Sequence, residues 1–109
     1  MFVKVYRYRI QPEKTKRFLA IQERAGKIYQ KHIRHRVVIL RSRKDLNLCL
    51  EVHWYPDEDT YRRGIDLINA EPMIDQLWEE FQATLDPNDP TVHEEYYEQL
   101  WFDNSLTTK

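Results

Sequence analysis

The chain has 109 residues, 41% of them hydrophobic and 32% charged, with a formal net charge of -1. That length fits one domain, residues 1–109, and that composition supports a packed core rather than disorder. A single cysteine, Cys49, excludes an internal disulfide framework and fits a reducing cytoplasm, and no apolar run approaches the roughly 20 residues of a membrane span.

The small net charge hides a division. Residues 1–55 hold 14 Lys and Arg against four acids, whereas residues 56–109 hold three against 14. Because both halves carry the periodicity of folded elements, they are expected to pack on each other, within one chain or across a dimer, rather than form a basic tract and an acidic tail.

Met1-Phe2-Val3-Lys4 lacks the apolar run of a secretory signal and reads as the start of a strand. Phe2 to Ile10 alternates Phe2, Lys4, Tyr6, Tyr8 and Ile10 against Val3, Val5, Arg7 and Arg9, which is strand periodicity. Pro12 and Glu13 open a helix whose apolar stripe runs through Phe18, Ile21, Ala25, Ile28 and His32. Arg36 to Arg43 and Leu48 to Tyr55 are two further strands, joined as a hairpin by Lys44-Asp45-Leu46-Asn47. After Pro56, Asp57, Asp59 or Thr60 caps a helix holding Tyr61, Ile65 and Ile68. Pro72 predicts a break near Asn69 to Glu71, and the period resumes with Met73, Leu77, Trp78, Phe81 and Leu85. Asp86 to Pro90 is a loop, Thr91 to Phe102 is β-like, and the polar tail from Asp103 is expected to fray.

This β-α-β-β-α-β order describes an α+β, ferredoxin-like sandwich with both helices on one face of an antiparallel sheet. Neither parity set of the strands is polar: Val37, Ile39 and Tyr55 lie opposite Val38, Leu40 and Trp54. A sheet with one wet face alternates more cleanly, so the uncovered face is expected to meet a second copy of the chain.

The stretch from Ser42-Arg43-Lys44-Asp45 through Trp54-Tyr55-Pro56-Asp57-Glu58, followed by the break at Ala70-Glu71-Pro72, resembles the dimeric α/β-barrel group. That group includes the antibiotic-biosynthesis monooxygenases and small quinol monooxygenases. The resemblance implies a homodimer whose sheets close into a shared barrel, with a pocket between sheet and helices in each subunit. It also implies oxidation of an aromatic or quinol-like compound without cofactor, since many oxygenating members use no metal or flavin. Ile68 stands where members often carry a histidine, and the Asn and His set of haem-degrading relatives has no counterpart here.

The residues themselves single out a mixed cluster. Glu51 and His53 share one strand face beside Trp54, and Arg7 and Arg9 share a face of the neighbouring first strand. Together they are expected either to orient an acidic or phenolic substrate or to form an ion-pair network at a dimer seam. His32 and His35 are read as part of the solvated cationic end of the first helix, because two ligands do not make a metal site. Cys49 is an inert strand thiol. Two other classes compete with an enzyme. One is a non-catalytic dimeric ligand-binding or stress protein of the same fold. The other is an RNA-binding module stacking bases on Tyr6 and Tyr8, disfavoured because Leu48-Cys49-Leu50-Glu51-Val52 lacks the Lys-Gly-Phe pattern of such modules.

Overall fold

The computed structural model describes residues 1–104; of the tail expected to fray, residues 105–109 lie outside the described part. Strand β1 (Phe2–Arg9) leads through a 3₁₀ turn (Pro12–Lys14) into helix α1 (Thr15–His32). Strands β2 (Arg36–Arg41) and β3 (Leu48–Tyr55) form the expected hairpin. Helices α2 (Glu58–Asn69) and α3 (Ile74–Gln82) and strand β4 (His93–Glu98) complete the chain.

The break at Pro72 separates α2 from α3, because proline cannot supply the amide that would continue the helix. Asp57 is the residue that caps α2, accepting a hydrogen bond from the Thr60 amide at 2.7 Å. Gly64 on α2 lies against the turn after α1, where a Cβ would stand 2.0 Å from Ile33 Cγ1; only glycine allows that approach.

The sheet is antiparallel with strand order β2-β3-β1-β4, the arrangement of a ferredoxin-like α+β fold. Helices and sheet share one core. Phe18, Ile21 and Ile28 come from α1, Tyr61 and Ile68 from α2, and Leu77 and Phe81 from α3, all packed on Tyr8, Cys49 and Tyr55. Full burial of such a side chain stabilises the fold by roughly 1.5–3 kcal/mol.

The oppositely charged halves do pack on each other. Lys4 pairs with Glu94 and Arg24 with Glu80, each at 2.8 Å, Lys31 approaches Glu71, and Arg9 reaches Asp89 as well as Asp45. Among the described residues no helix is long and apolar enough to cross a membrane.

Candidate functional site

Directly opposed residues of neighbouring strands point to the same face of a sheet, so the register fixes which side chains meet. Lys4 opposes His53, Tyr6 opposes Glu51 and Tyr8 opposes Cys49, all beneath the helices. Arg7 opposes Leu50, Arg9 opposes Leu48 and Val3 opposes Trp54, all on the uncovered face. The five residues singled out in the sequence therefore do not form one cluster. Glu51 and His53 come together under the helices, while Arg7, Arg9 and Trp54 lie on the other side of the sheet. The two strands are adjacent as expected, but the pairing register puts the arginines out of phase with the carboxylate and imidazole. Trp54 instead stacks under the Arg36 guanidinium, 5.4 Å away, and Arg9 holds Asp45 and Asp89.

Between sheet and helices lies a cavity of about 550 Å³. Its walls include Tyr6, Tyr8, Tyr29, His35, Trp78 and Phe81, with Glu51 and His53 on the sheet side. His53 Nε2 and Glu51 Oε2 are 2.5 Å apart, with only 7% and 12% of the two side chains exposed. Tyr8 donates its hydroxyl to Glu51 Oε1 at 2.6 Å, and Gln22 donates to the same oxygen at 3.3 Å. The Tyr55 hydroxyl faces His53 Nδ1 at 3.3 Å. A continuous Tyr8–Glu51–His53–Tyr55 chain of hydrogen-bonding groups thus runs along one side of the cavity. Burial, reinforced by the Glu51 carboxylate, pushes the Tyr8 phenol far above its usual range and Tyr29 up to about 12, so both remain protonated donors at neutral pH.

His35 departs from its expected place in a solvated helix end. It lies against the cavity, nearly parallel to His53 and to Tyr55 with ring centroids 5.4 Å away in each case. Its Nδ1 is buried and has no hydrogen-bond partner among the described residues. Desolvation, with His53 adding to it, pushes the His35 pKa down. The buried Ile33 just before it draws the connection inward. His32, by contrast, pairs with Glu71 at 2.6 Å outside the cavity.

Lys4, Tyr6, Tyr8, Tyr29 and His35 join the site only in the folded chain. A sequence signal exists for the first three, because Lys4 is in phase with Tyr6, Tyr8 and Ile10, the buried set of β1. Lys4 is 5% exposed. Burial works against its charge, yet hydrogen bonds with Glu94, Tyr6 and Tyr61 outweigh that and hold the ammonium above the usual lysine range. Among the described residues no group of three or more His, Cys, Asp or Glu is placed to hold a metal ion.

A β-α-β-β-α-β sheet with an aromatic-walled cavity under its helices is a ferredoxin-like α+β fold, and solved structures described as NIPSNAP-domain and antibiotic-biosynthesis-monooxygenase proteins share it. The chain is similar to a NIPSNAP domain protein from Burkholderia xenovorans, at TM-score 0.73 and 20% identity over 94% of this chain and 98% of that one. It is also similar to SnoaB, a cofactor-independent oxygenase from Streptomyces nogalater, at TM-score 0.64 and 18% identity over 93% and 94% of the two chains. A structure described as an antibiotic biosynthesis monooxygenase matches at TM-score 0.67 and 15% identity, covering 92% of this chain and 99% of that one. No protein-family model and no curated sequence matches this chain. At these identities the likeness establishes the fold.

Proposed function

We propose that the chain is a small cytoplasmic monooxygenase that works as a homodimer on a planar quinol-like or phenolic compound held in the cavity. The observation that carries this reading is the buried Glu51–His53 pair on one wall of an aromatic cavity. A carboxylate–imidazole pair is a proton-transfer element, and Tyr29 and Trp78 offer faces for a flat ring. A quinol that gives a proton to the pair becomes an anion electron-rich enough to reduce dioxygen. One oxygen atom bonds to a ring carbon and the other leaves as water, so quinol plus dioxygen gives hydroxyquinone plus water with no electron left over. Likeness to the fold of a cofactor-independent oxygenase supports this choice, and the unpaired Cys49 is in keeping with a reducing compartment. The homodimer is supported by the uncovered sheet face, which carries Val5, Val38, Leu40, Leu50, Val52 and Trp54.

A second reading is favoured by one feature. Both ring nitrogens of His53 already face protein groups, Glu51 and Tyr55, as suits a scaffold in a ligand-binding protein. Oxygen uptake with dihydroxynaphthalenes separates the two. Glu51→Gln keeps the shape of the site and is expected to slow uptake by about 10²–10⁴-fold. Tight binding by the native chain without oxygen uptake establishes the binder instead, and uptake unchanged in Glu51→Gln removes the pair from the chemistry.

A further inference from the structure

A second cavity, of about 530 Å³, shares Tyr6, Tyr29 and Trp78 with the first, and Lys4 and Glu94 line it. We infer that the space beside Lys4 is a subsite for the carboxylate of an aromatic acid, with Glu94 as the group it displaces. This deepens the reading above, on which it rests: the ring in the cavity would belong to a hydroxyarene carboxylate rather than to a neutral quinol.

A lysine with 7% of its side chain exposed is unusual and needs partners for its charge. Lys4 Nζ donates to the Tyr61 hydroxyl at 2.8 Å and lies over the rings of Tyr6, Tyr61 and Tyr96 at 4.8 to 5.3 Å. These aromatic contacts suit a cation but leave its charge uncompensated. Among the described residues the carboxylate that meets it is Glu94, through Oε1 at 2.8 Å. The two members of this ion pair differ in freedom. Lys4 is fixed in the central strand β1, whereas Glu94 is half exposed on the edge strand β4. Glu94 can swing into water and be rehydrated, and Lys4 cannot follow. A carboxylate arriving from the cavity would then accept the same N–H bond.

The register adds the geometry. Lys4 directly opposes His53, and such pairs have Cβ atoms about 4.5–5.5 Å apart. Tyr6 links the two cavities: Lys4 Nζ lies 4.8 Å from the centre of its ring and His53 stands 5.5 Å from the same ring, so an aromatic acid anchored at Lys4 would extend along Tyr6 toward the Glu51–His53 pair.

Calorimetric titration of the full chain with 1-naphthol, 1-hydroxy-2-naphthoate and acetate tests this. Glu94→Gln removes the competing carboxylate and is expected to tighten 1-hydroxy-2-naphthoate by about tenfold while leaving 1-naphthol unchanged. Lys4→Met is expected to erase the preference for the acid over the naphthol; if that variant fails to fold, Glu94→Gln decides the question alone. Acetate is expected to show no heat at concentrations that saturate with the aromatic acid. Equal affinities for the acid and the naphthol in both the native chain and Glu94→Gln overturn the subsite and leave the aromatic cavity standing. Acetate that competes as well as the aromatic acid overturns the assignment to an aromatic ligand. If neither arene binds, the cavity reading falls together with the subsite.

Discussion

The two faces of this sheet reverse the usual division of labour. The face under the helices holds Lys4, Glu51 and His53 among its aromatics, and Lys4 and His53 are each 5% exposed. The uncovered face holds Val5, Val38, Leu40, Leu50, Val52 and Trp54 beside Arg7, Arg9 and Arg36, and Leu40 is 50% exposed. Polar groups placed where water is excluded interact strongly and must be matched one by one, as Tyr8 matches Glu51 and Tyr61 matches Lys4. Apolar groups facing outward gain only when a surface covers them. On the proposed reading one face serves chemistry and the other association, and each can be tested without the other.

The largest effect belongs to the uncovered face. Val52 sits on β3 in its middle, opposite Val5 and Val38. Val52→Lys would place a charge at the centre of the proposed dimer seam and weaken association by roughly 2–4 kcal/mol. Sedimentation is expected to give twice the 13.4 kDa chain mass for the native protein and a single chain for the variant at micromolar concentration. Affinity of the cavity for a hydroxynaphthoate should survive the change. A native protein that sediments as one chain ends the dimer proposal.

The helix layer comes next. Gly64→Ala would drive a methyl group to 2.0 Å from Ile33 Cγ1 and 2.6 Å from its Cδ1, and Ile33 is buried with little room to yield. The expected cost is about 1–3 kcal/mol, or about 4–8 °C of melting temperature per kcal/mol in a domain of this size. Because Tyr61 is on the same helix, the loss should be accompanied by a looser Lys4. An unchanged melting temperature would mean that Ile33 repacks freely.

Much of this contrast is legible in the residues, and what is not has a definite cause. Period-two runs, the proline break and the absence of a polar strand face follow from side-chain alternation, which is local, and they lead to the observed element order. Placing Arg7 and Arg9 beside Glu51 requires something that is not local. The strands are neighbours, as expected, but a shift of one residue in pairing moves a side chain to the opposite face, and Leu50 rather than Glu51 opposes Arg7. His35 defeats the local reading for a related reason. Its sequence neighbours Arg34 and Arg36 are exposed, and only the inward pull of Ile33 and the stacking on His53 and Tyr55 bring the ring to the cavity. Lys4 escapes notice because a lysine between valines looks like the wet side of a strand, whereas its phase with Tyr8 and Ile10 marks the buried one.

His35 offers a smaller test, confined to the covered face. Its pKa is lowered in the folded protein, so folding favours the neutral ring and the unfolded chain takes up a proton first. The stability it contributes is present above its ordinary value of 6.5 and is lost as the pH falls from there toward the lowered folded value. Chemical denaturation of the native chain and of His35→Phe across that range should show a shallower decline in the variant. Parallel curves would show that the imidazole is not desolvated enough to matter.

The smallest effect separates structure from function at a single glycine. Gly26 lies within α1 and lines the cavity, and a Cβ built there meets no heavy atom within 4 Å. Glycine in a helix interior costs about 0.5–1 kcal/mol relative to alanine, and here no close approach of a neighbour requires it. Gly26→Ala is therefore expected to raise stability by about that amount, read as a higher denaturant midpoint with an unchanged slope. Set beside Gly64→Ala, this gives opposite signs for the same substitution on adjacent helices, because one Cβ enters a packed seam and the other enters open cavity. If Gly26→Ala instead weakens hydroxynaphthoate binding while stabilising the chain, that empty volume is where the ring lies, and the missing side chain leaves room for ligand at the expense of helix stability.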